Sequence, residues 1–234
     1  MKHNEDSMAE PATQLAGITL KDVKASSEVK YLITGANDLL SSMGYTEHGH
    51  RHSGVVSSIT RYILSHAGAD EREQELGSIA GYLHDIGNVV NRINHPMIGA
   101  SITYTILHGM GMDPREVAPI LGAIGNHEEG QGIPVSRISA ALIIADKSDV
   151  HFSRVQNPIL ESFDIHDRVN YAVQKSRIEM EPNDQHIRLH LEINDTITVM
   201  EYFEIFLSRM VMCRRSAELL GYKFSLEANG TILE

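Results

Sequence analysis

Helical periodicity and inward-pointing polar residues coincide in this chain, and the coincidence restricts its fold more than any other feature. From Thr19 to about Val150 apolar residues recur at helical spacing almost without interruption, and several of these stripes run into a histidine or an aspartate. His52 shares a face with Val55, Val56, Ile59 and Ile63, and the stripe Leu76, Ile79, Ala80, Leu83, Ile86 leads into His84 and Asp85. By the same phase test His95 lies with Ile98, Ile102 and Ile106, His127 with Ile120 and Ile124, and Asp146 with Ile138, Leu142 and Ala145. A lone inward histidine is more often a hydrogen-bonded core residue than a ligand. Six such groups aimed into one core from five helices, with few Lys or Arg on the same faces, need another source of positive charge. Four imidazoles and two carboxylates form a mixed N/O set suited to borderline divalent metals, with Asp85 able to bridge two ions through its two oxygens.

The predicted helices are 27–43, 51–67, 71–86, 95–109, 114–128 and 136–151, separated by breaks such as GYTEHGH, GNVVNRINHP and EEGQGIP. Residues 1–17 read as a flexible tail and 18–160 as a helical domain holding the polar centre. Beyond Asp164 the period changes. Val169, Tyr171 and Val173 alternate, as do Ile187, Leu189, Leu191 and Ile193 after the turn signal Glu181-Pro182-Asn183-Asp184. A long apolar-striped helix from Asp195 to Gly221 and a strand at Phe224–Leu226 complete an expected β-β-α-β lobe over 161–234. The fold class is therefore mainly α, a helical bundle with a small α+β accessory lobe.

The histidines are concentrated: nine of 13 lie between His48 and His151. Within that stretch the pieces RHSGVV (51–56), LHDIG (83–87), HPMIGA (95–100), NHEE (126–129) and IADKSD (144–149) resemble the HD superfamily of metal-dependent phosphohydrolases. An HD dipeptide alone carries no information; the ordered set H…HD…H…H…D carries the resemblance. HPxxGA and GQGIP are similar to the HD-GYP-like branch. The short loop before His95 and the interval from Asp146 to Arg154 are similar to the dinucleoside tetraphosphate hydrolase-like branch. Asn126 stands where HD-GYP proteins have the first histidine of HHE, and Asn88 where many HD proteins have a lysine.

The resemblance implies one metal held by His52, His84, Asp85 and Asp146, and a second held by His95 and His127 with Asp85 bridging. The ions would be two of Fe, Mn, Zn, Co or Ni, activating a bridging hydroxide for attack on phosphorus. Asp85, orienting that water, and Lys147, near the phosphate, are the expected catalytic residues. Arg154, Arg51, Asn126 and Asn88 are expected at the substrate, and His48 as an extra ligand.

The expected function is hydrolysis of a small phosphorylated metabolite or nucleotide. The same ligand set also suits an HD-type di-iron oxygenase, or a metal-stabilised binding or signalling module without turnover. A formal charge of −11 argues against a nucleic-acid partner. No apolar run reaches the roughly 18 residues that a membrane span needs, so no membrane partner and a cytoplasmic location are expected. The single Cys213 forms no intramolecular disulfide, and the apolar C-terminal helix is the expected surface of a homodimer.

Overall fold

The computed structural model describes residues 17–233, so the tail expected over 1–17 lies outside the described residues except for Gly17. Seven helices come first: α1 (Leu20–Ala25), α2 (Ser27–Ser42), α3 (His50–His66), α4 (Glu71–Leu83), α5 (His95–Gly109), α6 (Pro114–Gly125) and α7 (Arg137–Ser148). Their starts follow capping chemistry. The side chains of Ser26, Asp70 and Ser136 accept the free amides of α2, α4 and α7, and Thr19 forms a reciprocal box with Asp22.

Helix α7 is the axis of the bundle. Every residue from Ile138 to Ala145 is buried, and α3, α4, α6 and the C-terminal helix pack around it. A helix apolar on all sides belongs in the interior. Asp146 and Lys147 follow that run directly, so they are carried into the core.

The C-terminal part contains α8 (Ile165–Ala172), β1 (Val173–Glu181), β2 (His186–Ile193), α9 (Val199–Leu219), β3 (Lys223–Ala228) and β4 (Thr231–Leu233). The sheet order is β1-β2-β3-β4. The β1–β2 hairpin is antiparallel, β2 and β3 are parallel neighbours joined through α9, and β3–β4 is an antiparallel hairpin. Ile187, Leu189, Leu191, Leu226 and Ala228 are buried, as are Tyr202, Phe206 and Cys213 of α9, which packs on the sheet through β3. The opposite side of α9 packs on α7, so one apolar cluster runs from the bundle into the sheet.

The mainly helical class with a small C-terminal sheet agrees with expectation, while the details differ. Val169 and Tyr171 lie on α8, not on a strand, because i and i+4 positions satisfy both periods in so short a window. A fourth strand follows the Asn229–Gly230 turn. Helix α4 ends at Leu83 instead of Ile86, α6 at Gly125 instead of Glu128, and α7 at Ser148 instead of His151. These early endings shape the polar centre. No helix among the described residues is long and apolar enough to cross a membrane.

Candidate metal centre

The inward histidines cluster at helix ends, where the backbone can turn. His52 is the third residue of α3, and its amide donates to the Glu47 carboxylate at 3.2 Å, which also accepts from the Gly49 amide. His84 closes α4, and Asp85 leads into a 3₁₀ turn over Ile86–Val89. That turn requires Gly87: a Cβ there would fall on the backbone of His95 and Gly99, so only glycine lets the turn lie against the start of α5. His95 is the first residue of α5, entered through Asn94 in the left-handed region, and His127 follows the end of α6. Asp146 is the third residue from the end of α7.

Two overlapping groups of donors result. His52 Nε2, His84 Nε2, Asp85 Oδ2 and Asp146 Oδ1 lie 3.2–3.6 Å apart across the contacts that join them. His95 Nε2 and His127 Nε2 are 3.1 Å apart and lie 3.3 and 3.7 Å from the other oxygen of Asp85, Oδ1. Ligand bonds of about 2.0–2.2 Å around an ion place neighbouring donor atoms about 3–3.6 Å apart, so the spacings fit a metal in each group.

The outer ring nitrogens fix the tautomers. His84 Nδ1 donates to the Gly81 carbonyl at 2.9 Å, His127 Nδ1 to Ile124 at 2.6 Å and His95 Nδ1 to Arg92 at 3.0 Å. His52 Nδ1 donates to the Asp149 carboxylate at 2.7 Å. A carbonyl oxygen only accepts, so each Nδ1 carries the hydrogen and each neutral ring turns an Nε2 lone pair inward. Lone pairs facing lone pairs and carboxylate oxygens repel unless a cation lies among them. Among the described residues, Arg92 Nη1, at 3.1 Å from His95 Nε2, is the guanidinium that reaches this inner face.

The titration behaviour points the same way. Burial opposes charge on Asp85 and Asp146, yet His84 beside the first and Lys147 beside the second hold both carboxyls well below the usual range. Burial likewise opposes charge on His84, but the two carboxylates push its pKa up to about 10. The proton on His84 is the positive charge that the two carboxylates draw into the cluster. His127 is driven the other way by its burial.

The remaining residues nominated from the sequence occupy varied positions. Asn88 Nδ2 donates to Asp85 Oδ1 at 2.9 Å and to the Asp85 carbonyl, so it orients the bridging carboxylate. Lys147 is 3% exposed and its ammonium meets Asp146 Oδ2 at 2.8 Å, turning the other oxygen of Asp146 toward the histidines. Arg51 grips Asp149 through two bonds of 2.8 and 3.1 Å. All three guanidinium nitrogens of Arg154 donate to the carbonyls of Glu47 and Asp149, tying the loop before α3 to the end of α7. Asn126 bonds back to Gly122. His48 places Nδ1 on the Thr46 carbonyl, and burial keeps its ring neutral; it stands edge-on to His52, outside the two donor groups.

A cleft of about 640 Å³ opens beside the cluster between the 43–48 loop, α8 and α9. Arg92, Arg154 and Arg209 line it with cations, Glu129 and Asp164 with carboxylates, His48 and His166 with imidazoles, and Tyr45 and Ile205 with apolar surface. Several participants were not nominated from the sequence. Asp149 orients His52 from beyond the end of α7, off the stripe that revealed Asp146. Glu128, Glu129 and Arg92 lie on connecting segments without periodicity, and Arg209 comes from a helix sixty residues further along. The NHEE and IADKSD strings contained three of these acids, but their tertiary partners are not visible in one dimension.

No protein-family model matches the chain. It is 22% identical over 186 residues to an uncharacterized protein, MJ1020, of Methanocaldococcus jannaschii, covering 70% of this chain and 71% of that protein. A crystal structure of a predicted HD superfamily hydrolase from an uncultured Thermotogales bacterium is similar at a TM-score of 0.43 and 25% identity, over 53% of this chain and 67% of that one. The cluster itself, an ordered His…His-Asp…His…His…Asp set on a helical bundle, is consistent with an HD-type metal site.

Proposed function

We propose that the protein is a metal-dependent phosphohydrolase acting on a small phosphorylated metabolite or nucleotide. The observation that carries this reading is the bridging posture of Asp85, with Oδ2 turned to His52 and His84 and Oδ1 to His95 and His127. His52, His84, Asp85 and Asp146 would hold one ion, and Asp85, His95 and His127 a second. When bound, such a pair supplies Lewis-acid charge to phosphoryl oxygens and lowers the pKa of water.

The chain's own residues perform the positioning. Asn88 keeps Asp85 turned so that its two oxygens serve different histidines, and Lys147 fixes which oxygen Asp146 presents. Asp149, Gly81, Ile124 and Arg92 fix the four imidazole tautomers. Lys147, buried against Asp146, would act by holding that carboxylate in place. Arg92, next to His95 and at the cleft wall, is the guanidinium best placed to meet a phosphoryl group beside the cluster.

The test is a screen of phosphate esters with protein reconstituted under argon with Mn, Zn or Mg. Turnover with a redox-inert ion and no oxygen supports the reading. Oxygen-dependent consumption of substrate with iron alone replaces it with the oxygenase, and binding without turnover replaces it with the binding module.

A further inference from the structure

The arginines in and near the cleft are held in two ways. Arg154 is fixed by backbone carbonyls, and Arg51, which does not line the cleft, is clasped by Asp149. Arg92 and Arg209 are held differently. Each pairs with one member of the Glu128–Glu129 dipeptide: Arg92 Nη2 with Glu128 at 2.7 Å, and Arg209 Nε with Glu129 at 2.9 Å. Both glutamates also meet the buried ammonium of Lys147, Glu128 at 3.5 Å and Glu129 at 3.3 Å.

This shared backing has a physical result. A guanidinium that leaves its glutamate for a ligand leaves that carboxylate one cation within reach, Lys147, which it shares with Asp146. The Arg209 contact is also poorly directed, since Glu129 Oε1 is buried and has no donor aligned on it. Arg209 is 23% exposed, lies over the Phe206 ring at 4.3 Å and faces the cleft, whose wall on the α8 side includes His166. Arg92 abuts His95, whereas Arg209 reaches the glutamate pair from α9.

We propose that Arg209 is a specificity-determining residue that binds a second anionic group of the substrate, distinct from the phosphoryl group attacked at the cluster. The proposal rests on the hydrolase reading above. On binding, Arg209 exchanges Glu129 for the ligand's anion while Glu129 stays paired with Lys147. The preferred substrate class is therefore a phosphate ester carrying a further phosphate or carboxylate, and α9 makes the C-terminal segment part of the substrate site.

The test compares phenyl phosphate with 3- and 4-carboxyphenyl phosphate, which add an anionic group at two distances. Binding to the metal-loaded full chain is read by calorimetry, beside KM where turnover occurs. Wild type should favour at least one carboxylated ester about tenfold or more. Arg209→Gln should reduce that preference below about twofold, and Arg209→Lys should restore part of it. Metal content of each variant is measured alongside. No preference in wild type, a preference that survives Arg209→Gln, or an equal loss for all three esters overturns the proposal. Arg209-dependent binding of a carboxylated ester with no hydrolysis of any of the three leaves the anion site standing and removes the hydrolase reading.

Discussion

Two pairs of carboxylates, Asp85 with Asp146 and Glu128 with Glu129, lie close together and are neutralised in different ways. The aspartates face four imidazoles whose protons are committed outward, so the space between them asks for a mobile cation. The glutamates face Lys147, Arg92 and Arg209, cations that belong to the chain. Lys147 joins the sets by touching Asp146 as well. The first arrangement has the donor spacing of a metal site; the second sets two arginines at the wall of a cleft, where Arg209 is proposed to change partner. A site that must hold ions and also receive an anion needs both.

The comparison breaks most severely at Asp85. Asp85→Ala should lower phosphate-ester turnover on the order of 10³-fold or more, measured as kcat under saturating metal, with helical circular dichroism retained. A variant that keeps substantial turnover contradicts the bridging role.

Gly87→Ala tests whether the cluster depends on the backbone contact that brings Asp85 beside His95. The new methyl meets backbone and not a flexible side chain, so a loss of about 3 kcal/mol is expected in denaturant unfolding. An unchanged midpoint would show that the turn can relax.

Asp149→Asn keeps the shape but weakens the partner that orients His52. Metal affinity measured by chelator competition should fall about 10–100-fold, with the unfolding midpoint less affected than in Gly87→Ala. Equal affinity would remove Asp149 from the site.

The smallest effect concerns the proton that substitutes for a metal. In the metal-free protein His84 has a pKa raised from 6.5 to about 10, so its protonation stabilises the fold fully below about pH 6.5. That contribution disappears as pH rises through about 10. The Tm of the chelator-treated protein should therefore drop between pH 7 and 10 by a few degrees more than that of the metal-loaded protein. Parallel curves would mean that the ion does not replace a proton.

The two regions also differ in how far they could be read from sequence. The six residues of the cluster were legible because each extends a helical stripe, and phase alone marks it as inward. What phase could not show is that all six stand at or near helix ends. Helix α4 stops because Gly87 must pass against α5, a tertiary contact absent from local pattern. Asp149 lies beyond α7 with backbone angles off the helical stripe, and Arg92, Glu128 and Arg209 meet only through folding. Arg154 illustrates the converse. Its charge and position suggested a phosphate contact, yet the carbonyls of Glu47 and Asp149 engage its guanidinium. In the C-terminal segment, alternation identified the β2 strand correctly but extended β1 back into α8, where Val169 and Val173 fit either period.

The most direct test of the bridged centre is elemental analysis of the purified, reconstituted chain beside its Asp85→Ala variant. The proposed function predicts about two divalent ions per chain in the wild type, falling to one or fewer when the bridging carboxylate is removed. One ion or none in the wild type, or two retained in the variant, would contradict the assignment of Asp85 as the shared ligand.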